Sequence, residues 1–166
     1  APTPRPGTYT LSRSYIGDDD TANKFFEAWK CFDASDPTHG DVRYLGCEEA
    51  IAAGLANATF GRVYMGADMT TTVRPGAGRR SLRIESRAVY NEGLFIIALD
   101  HIPTGCGTWP AFWMFGEDAR HAWPRWGEYD VIEGAHTTNR VMTTLHTMAG
   151  CEQSALVAGK EISLSL

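Results

Sequence analysis

An all-β sandwich is the fold predicted for this chain of 166 residues, and three observations predict it. Apolar and polar residues alternate over residues 41–45, 62–67 and 81–85, the period of two that puts every second side chain on one face of a strand. Each stretch is bounded by glycine, proline or polar turn residues. No internal repeat, low-complexity run or composition break marks a second domain. Residues 9–166 therefore read as one domain behind an extended segment, residues 1–8, that carries three prolines.

In chain order, the first element is expected to be helical. Ala22, Phe25, Phe26 and Trp29 fall at helical spacing within residues 20–32, although a cluster of strand aromatics can mimic that period. Strand 41–45 follows, then an alanine-rich stretch over residues 48–55 that favours a short helix. Strands 62–67 and 81–85 come next. The run Gly93-Leu94-Phe95-Ile96-Ile97-Ala98-Leu99 reads as a buried strand in need of cover on both faces. Near the end, Val141, Thr143 and Leu145 alternate with Met142, Thr144 and His146, a further strand.

The chemistry concentrates in Glu128-Tyr129-Asp130-Val131-Ile132-Glu133, just after Trp109-Pro110-Ala111-Phe112-Trp113 and Trp123-Pro124-Arg125-Trp126. In a regular strand Glu128 and Asp130 share a face while Glu133, five residues on, points the other way. One extra residue at Val131-Ile132, a β-bulge, returns Glu133 to that face. Glu128 and Glu133 are then equivalent to positions four apart, about 13 Å between Cα atoms at about 3.3 Å per residue. Side chains leaning together leave carboxyl groups about 5 to 7 Å apart, near the spacing for double displacement with retention. Asp130 between them can hydrogen-bond one glutamate, and like charges so close are the arrangement by which one acid of a row keeps its proton. The alternative is an ordinary half-exposed strand with its acids in water. Three acids on one face repel one another, a cost strands usually avoid unless function requires it.

Around this strand stand Phe25-Phe26, Asp36-Pro37-Thr38-His39-Gly40, Arg80-Ser81-Leu82-Arg83-Ile84, Gly105-Cys106-Gly107-Thr108-Trp109-Pro110-Ala111-Phe112-Trp113 and Thr144-Leu145-His146-Thr147. Together with Gly127-Glu128-Tyr129-Asp130-Val131-Ile132-Glu133-Gly134, these span roughly residues 9 to 151 and resemble glycoside hydrolase family 16, in its fungal endo-1,3(4)-β-glucanase (laminarinase-like) branch. The resemblance implies a curved, concanavalin A-like jelly roll whose concave sheet forms the cleft. It implies Glu128 as nucleophile, Glu133 as general acid and then base, and Asp130 as the residue that orients the nucleophile. The bulged motif separates this branch from the lichenases and xyloglucan endotransglycosylases and so favours 1,3-linked glucan. Substrate contacts are expected from Trp113 and Trp123, stacking on pyranose faces, and from His146, Trp109 and Asn91. The alternatives are a hydrogen-bonded strand histidine for His146, core residues for the tryptophans, and a turn residue for Asn91. The stretch from Trp113 to Glu128 is longer than the family's compact loop. After Cys151 the resemblance fades, so the sandwich is expected to be incomplete at its C-terminus.

Other features narrow the partners. A net charge of −5 offers no footprint for nucleic acid, while neutral β-glucan polysaccharide is compatible. No apolar run reaches the eighteen or so residues a membrane span needs. Asp18-Asp19-Asp20 lacks calcium-loop spacing, and His101, His121 and His136 lack zinc-ligand spacing, so neither metal nor cofactor is expected. Cys31, Cys47, Cys106 and Cys151 permit three pairings and fit an oxidising compartment. With the sequon Asn57-Ala58-Thr59, they favour a secreted, extracellular protein. Open sheet edges make self-association an expectation. Three functions follow: a retaining endo-β-glucanase, a glucan transglycosylase on the same site, or a catalytically silent glucan-binding protein.

Overall fold

The computed structural model describes residues 9–16, 23–118 and 120–150, and the chain divides into two compact units, Ala1–Ile97 and Ala98–Leu166. In the first unit the expected helix over residues 20–32 is only a single 3₁₀ turn, Lys24–Ala28, followed directly by strand β1, Trp29–Cys31. The spacing serves ring packing instead. Phe25 stands edge-on to Phe26 at 5.1 Å and tilted to Trp29 at 5.4 Å, and both phenylalanines are buried.

Strand β2, Val42–Tyr44, and helix α1, Cys47–Ala52, fall where the sequence expects them. Ala50, on the inner face of α1, is fully buried beside Leu45 and Leu55. Strands β3, Ala56–Thr59, and β4, Arg62–Met65, form an antiparallel hairpin around Phe60-Gly61. Both turn residues have positive φ, 51° and 70°, the twist that a two-residue hairpin loop requires. Asn57, the sequon residue, is exposed on β3.

The strand expected over residues 81–85 is two strands, β5, Arg79–Ser81, and β6, Ile84–Ser86. The chain changes partner between them: β5 lies parallel to β2, and β6 lies antiparallel to β1. Backbone bonds from Leu45 N to Ser81 O (3.0 Å) and from Phe32 N to Arg83 O (2.9 Å) mark the crossing. A disulfide joins Cys31 at the end of β1 to Cys47 at the start of α1, with Cα atoms 5.3 Å apart. Cys106 is free and exposed, and Cys151 lies outside the described residues, as do residues 18–20.

The apolar run 93–99 is corrected outright. It forms no strand, and Leu94, Phe95, Ile96, Ile97 and Leu99 are each at least 40% exposed. Hydrophobicity states which residues gain from cover; it does not supply the neighbour that covers them. The second unit is built on one antiparallel sheet of order β7-β8-β9, from Ala111–Phe115, Glu128–Glu133 and Met142–His146. With nine short strands, one 3₁₀ turn and one six-residue helix among the described residues, the chain has the all-β character the sequence predicts. Among the described residues no helix is long and apolar enough to cross a membrane.

Candidate active site

The central strand of the second unit carries the site. Glu128, Asp130 and Glu133 stand opposite His146, Thr144 and Met142 of β9. These three β9 residues alternate along a regular strand, so they share one face, and so must their partners. On the other side Phe115, Trp113 and Ala111 of β7 face the same three acids. Three residues of β8 therefore cover the rise of two between Asp130 and Glu133, and both ladders shift register there. This is the bulge at Val131-Ile132 that the sequence predicts, and it is what brings the third carboxylate round.

The glutamates take indole partners rather than Asp130. Trp109 Nε1 donates to Glu133 Oε1 at 2.6 Å, and Trp123 Nε1 donates to Glu128 Oε2 at 2.8 Å. Thr144 Oγ1 makes a longer bond, 3.4 Å, to Glu133 Oε2. Each glutamate is thus held by an N–H from an irregular segment outside the sheet. Charge-assisted bonds of this kind are short and fix orientation. Trp109 and Trp123 keep 59% and 62% of their surface exposed, which leaves aromatic area to meet a ligand.

Asp130 is different. It is only 4% exposed, and its Oδ2 atom has no hydrogen bond. His146 Nε2 lies 3.2 Å from that oxygen, an ion-pair distance without hydrogen-bond alignment, and 3.8 Å from Glu128 Oε1. Burial pushes the Asp130 carboxyl above its ordinary pKa, the charges of Glu128 and Glu133 push it further, and His146 only partly offsets them. Glu128, Asp130 and His146 also turn one possible ligand atom each to within 4.8 Å of one another, so a cation could be held there. The same convergence suits a proton shared in a carboxylate row.

Of the remaining expected contacts, Trp113 faces Asp130 across the ladder and stacks on Phe115 at 5.0 Å between ring centres. Trp123 is tilted against His146 at 5.9 Å. Asn91 belongs to the first unit, exposed in a bend. Sequence reasoning missed Asp118 and His121, which pair in the loop before β8 at 2.8 Å. The available signal was an aspartate three residues before a histidine in a turn, where Asp side chains take backbone N–H groups. Among the described residues of the first unit, two open concavities include arginines already engaged, Arg43 with Glu49 and Arg80 with Asp68.

Over most of its length the chain is similar to known proteins. Residues 29–164 match the family model described as XgeA-like, catalytic GH16 domain. A protein of Aspergillus fumigatus named "probable endo-1,3(4)-beta-glucanase" is 43% identical over 150 residues, 89% of this chain and 22% of its own length. A "probable glycosidase" of Schizosaccharomyces pombe is 40% identical over 151 residues, 91% of this chain and 33% of its own. Among solved structures, Laminarinase 16A of Phanerochaete chrysosporium, with β-glucans in donor and acceptor sites, is similar at 38% identity and a TM-score of 0.71. It covers 77% of this chain, which covers 43% of it. An elongating family 16 β-1,3-glucosyltransferase is similar at 41% identity and a TM-score of 0.68, covering 74% of this chain against 41% of its own. The chain thus spans between a fifth and a third of the curated relatives cited and about two-fifths of the solved chains.

Proposed function

Because the chain belongs to glycoside hydrolase family 16, we propose that its β7-β8-β9 sheet carries a retaining endo-β-glucanase site for 1,3- or mixed 1,3/1,4-linked glucan. One observation supports this most: the bulge that puts Glu128, Asp130 and Glu133 on one face. Glu128 attacks the anomeric carbon while Glu133 protonates the departing glycosidic oxygen, leaving a glycosyl ester on Glu128. Glu133, now ionised, takes a proton from water as that water attacks the anomeric carbon, and Glu128 leaves as carboxylate. Asp130 keeps a third carboxyl beside the nucleophile and with His146 sets the charge of the row. Trp113 and Trp123 offer pyranose platforms.

A second reading is favoured by the similarity to the elongating glucosyltransferase. The same glycosyl ester can be resolved by an acceptor sugar in place of water, which lengthens the chain. The disulfide and the exposed sequon support an oxidising, extracellular setting. Reducing-end release from laminarin, measured for the chain and for Glu128→Gln, tests the proposal. Release by the parent and none by the variant is expected; equal release by both would end the assignment of Glu128. Products longer than the substrate would mark transglycosylation.

A further inference from the structure

Trp123 sits between two anchored flanks, and both anchors meet at one carboxylate. The loop that carries it, residues 116–127, is closed at its base by Gly116 N bonding to Gly127 O at 3.1 Å. A side chain at Gly116 would collide with Trp126 Cβ and lie 2.8 Å from the Trp126 carbonyl, so the closure needs glycine there. Within the loop Asp118 Oδ1 accepts the backbone N–H groups of Arg120 and His121, each at 2.8 Å. The His121 ring contacts both carboxylate oxygens through Nδ1, at 2.8 and 2.9 Å. That ring in turn meets Trp126 edge-on, 5.1 Å between centres and 79° between planes. Two short turns, Arg125 N to Ala122 O at 3.0 Å and Gly127 N to Pro124 O at 2.9 Å, complete the wrap.

We propose that Asp118 and His121 are positioning residues: Asp118 fixes His121 before Trp123, the His121 ring braces Trp126 after it, and together they hold the Trp123 indole N–H on Glu128. The clamp is a preformed one. Asp118 is ionised at working pH, because although burial raises its pKa, the Arg120 N–H, Trp126 and His121 outweigh that and hold it at about 2. A fixed carboxylate with several donors orders a loop more firmly than backbone turns alone. Trp123 is more than half exposed, its ring tilted against His146 at 5.9 Å, so its direction depends largely on the backbone on either side. The inference deepens the glucanase reading, since it concerns how the proposed nucleophile is oriented.

The test compares Asp118→Ala and Asp118→Asn with the parent chain. Hydrogen exchange of the Trp123 and Trp109 indole N–H groups is read by nitrogen-15 NMR, assigned with Trp→Phe variants. Trp109 bonds Glu133 and lies outside the loop, so it reports general loosening. Asp118→Ala is expected to speed exchange at Trp123 at least tenfold and leave Trp109 unchanged. Asp118→Asn, whose amide oxygen can still accept the two backbone N–H groups, should fall between. Equal acceleration at both indoles, or none at Trp123, would overturn the proposal. On laminarin, Asp118→Ala should lower kcat/KM about tenfold, mostly in kcat, yet cost less than twofold in a Trp123→Phe background. A full tenfold loss in that background would also overturn it, because Asp118 would then act through something else. The indole readout needs no turnover, so an inactive parent would count against the glucanase reading while the exchange rates still decide the clamp.

Discussion

Asp68 in the first unit and Asp130 in the second are both buried, 2% and 4% exposed, and the protein treats them in opposite ways. Asp68 accepts the N–H groups of Thr70 and Thr71 at 2.9 and 3.0 Å and a two-pronged contact from Arg80 at 3.0 and 2.7 Å. Hydrogen bonding from Thr71, then Thr70 and Arg80, holds its carboxyl far below the usual carboxylate range. Asp130 has an unbonded oxygen, two glutamate neighbours and a raised pKa. The surroundings differ in the same sense. The first unit holds every buried apolar side chain among the described residues, from Phe25 to Ala58, and the disulfide. The second holds the row of acids, with Tyr129 and Leu145 on the opposite face 44% and 57% exposed. The first unit satisfies the charge on Asp68 and gains stability. The other leaves a charge strained where chemistry is proposed, the usual location of such costs.

The largest expected effect lies in the second unit. Glu128→Gln should lower laminarin turnover by more than about a thousandfold, as removal of a nucleophile does elsewhere, with the melting temperature unchanged or raised. Glu133→Gln should cost about a hundredfold to ten-thousandfold, the range for losing general acid–base help. A variant that lost stability and activity in proportion would erase the contrast between the units. In the first unit the order reverses. Leu45, fully buried, should cost about 3 kcal/mol on replacement by alanine, from lost burial and the cavity left behind. Chemical denaturation reads that loss.

The finest comparison is of the two aspartates by pH. The folded pKa of Asp68 is depressed, so its stabilisation is present above the unfolded value, about 3.9, and is lost as pH falls below it. Asp68→Asn should thus lower Tm at pH 7 by about 5 °C, and the deficit should shrink below pH about 4. The folded pKa of Asp130 is raised, so the folded state is favoured at low pH and that advantage is lost as pH rises through the folded value. Asp130→Asn should therefore hold or raise Tm at pH 7, while at low pH it should match the parent. Melting curves across pH 3 to 8 that moved both variants in the same direction would break the comparison.

The acid row was legible in the sequence because strand parity is strict: only an inserted residue reconciles Glu128, Asp130 and Glu133, and both ladders show it. Helix α1 and strands β2, β4 and β9 were legible for the same local reason, periodicity. What failed depended on neighbours. Residues 81–85 serve two different ladders, residues 93–99 lack the cover their composition asks for, and Phe25, Phe26 and Trp29 pack as a ring cluster beside a 3₁₀ turn. Likewise the indole bonds from Trp109 and Trp123 join residues 24 and five positions apart through irregular backbone, where no period applies.

Proton NMR of the anomeric region during laminarin cleavage tests most directly whether the row on β8 works by double displacement. First-formed product with the β configuration, drifting to the α mixture only by mutarotation, is the predicted result. An α anomer appearing first, or no product from the parent chain, would contradict the account.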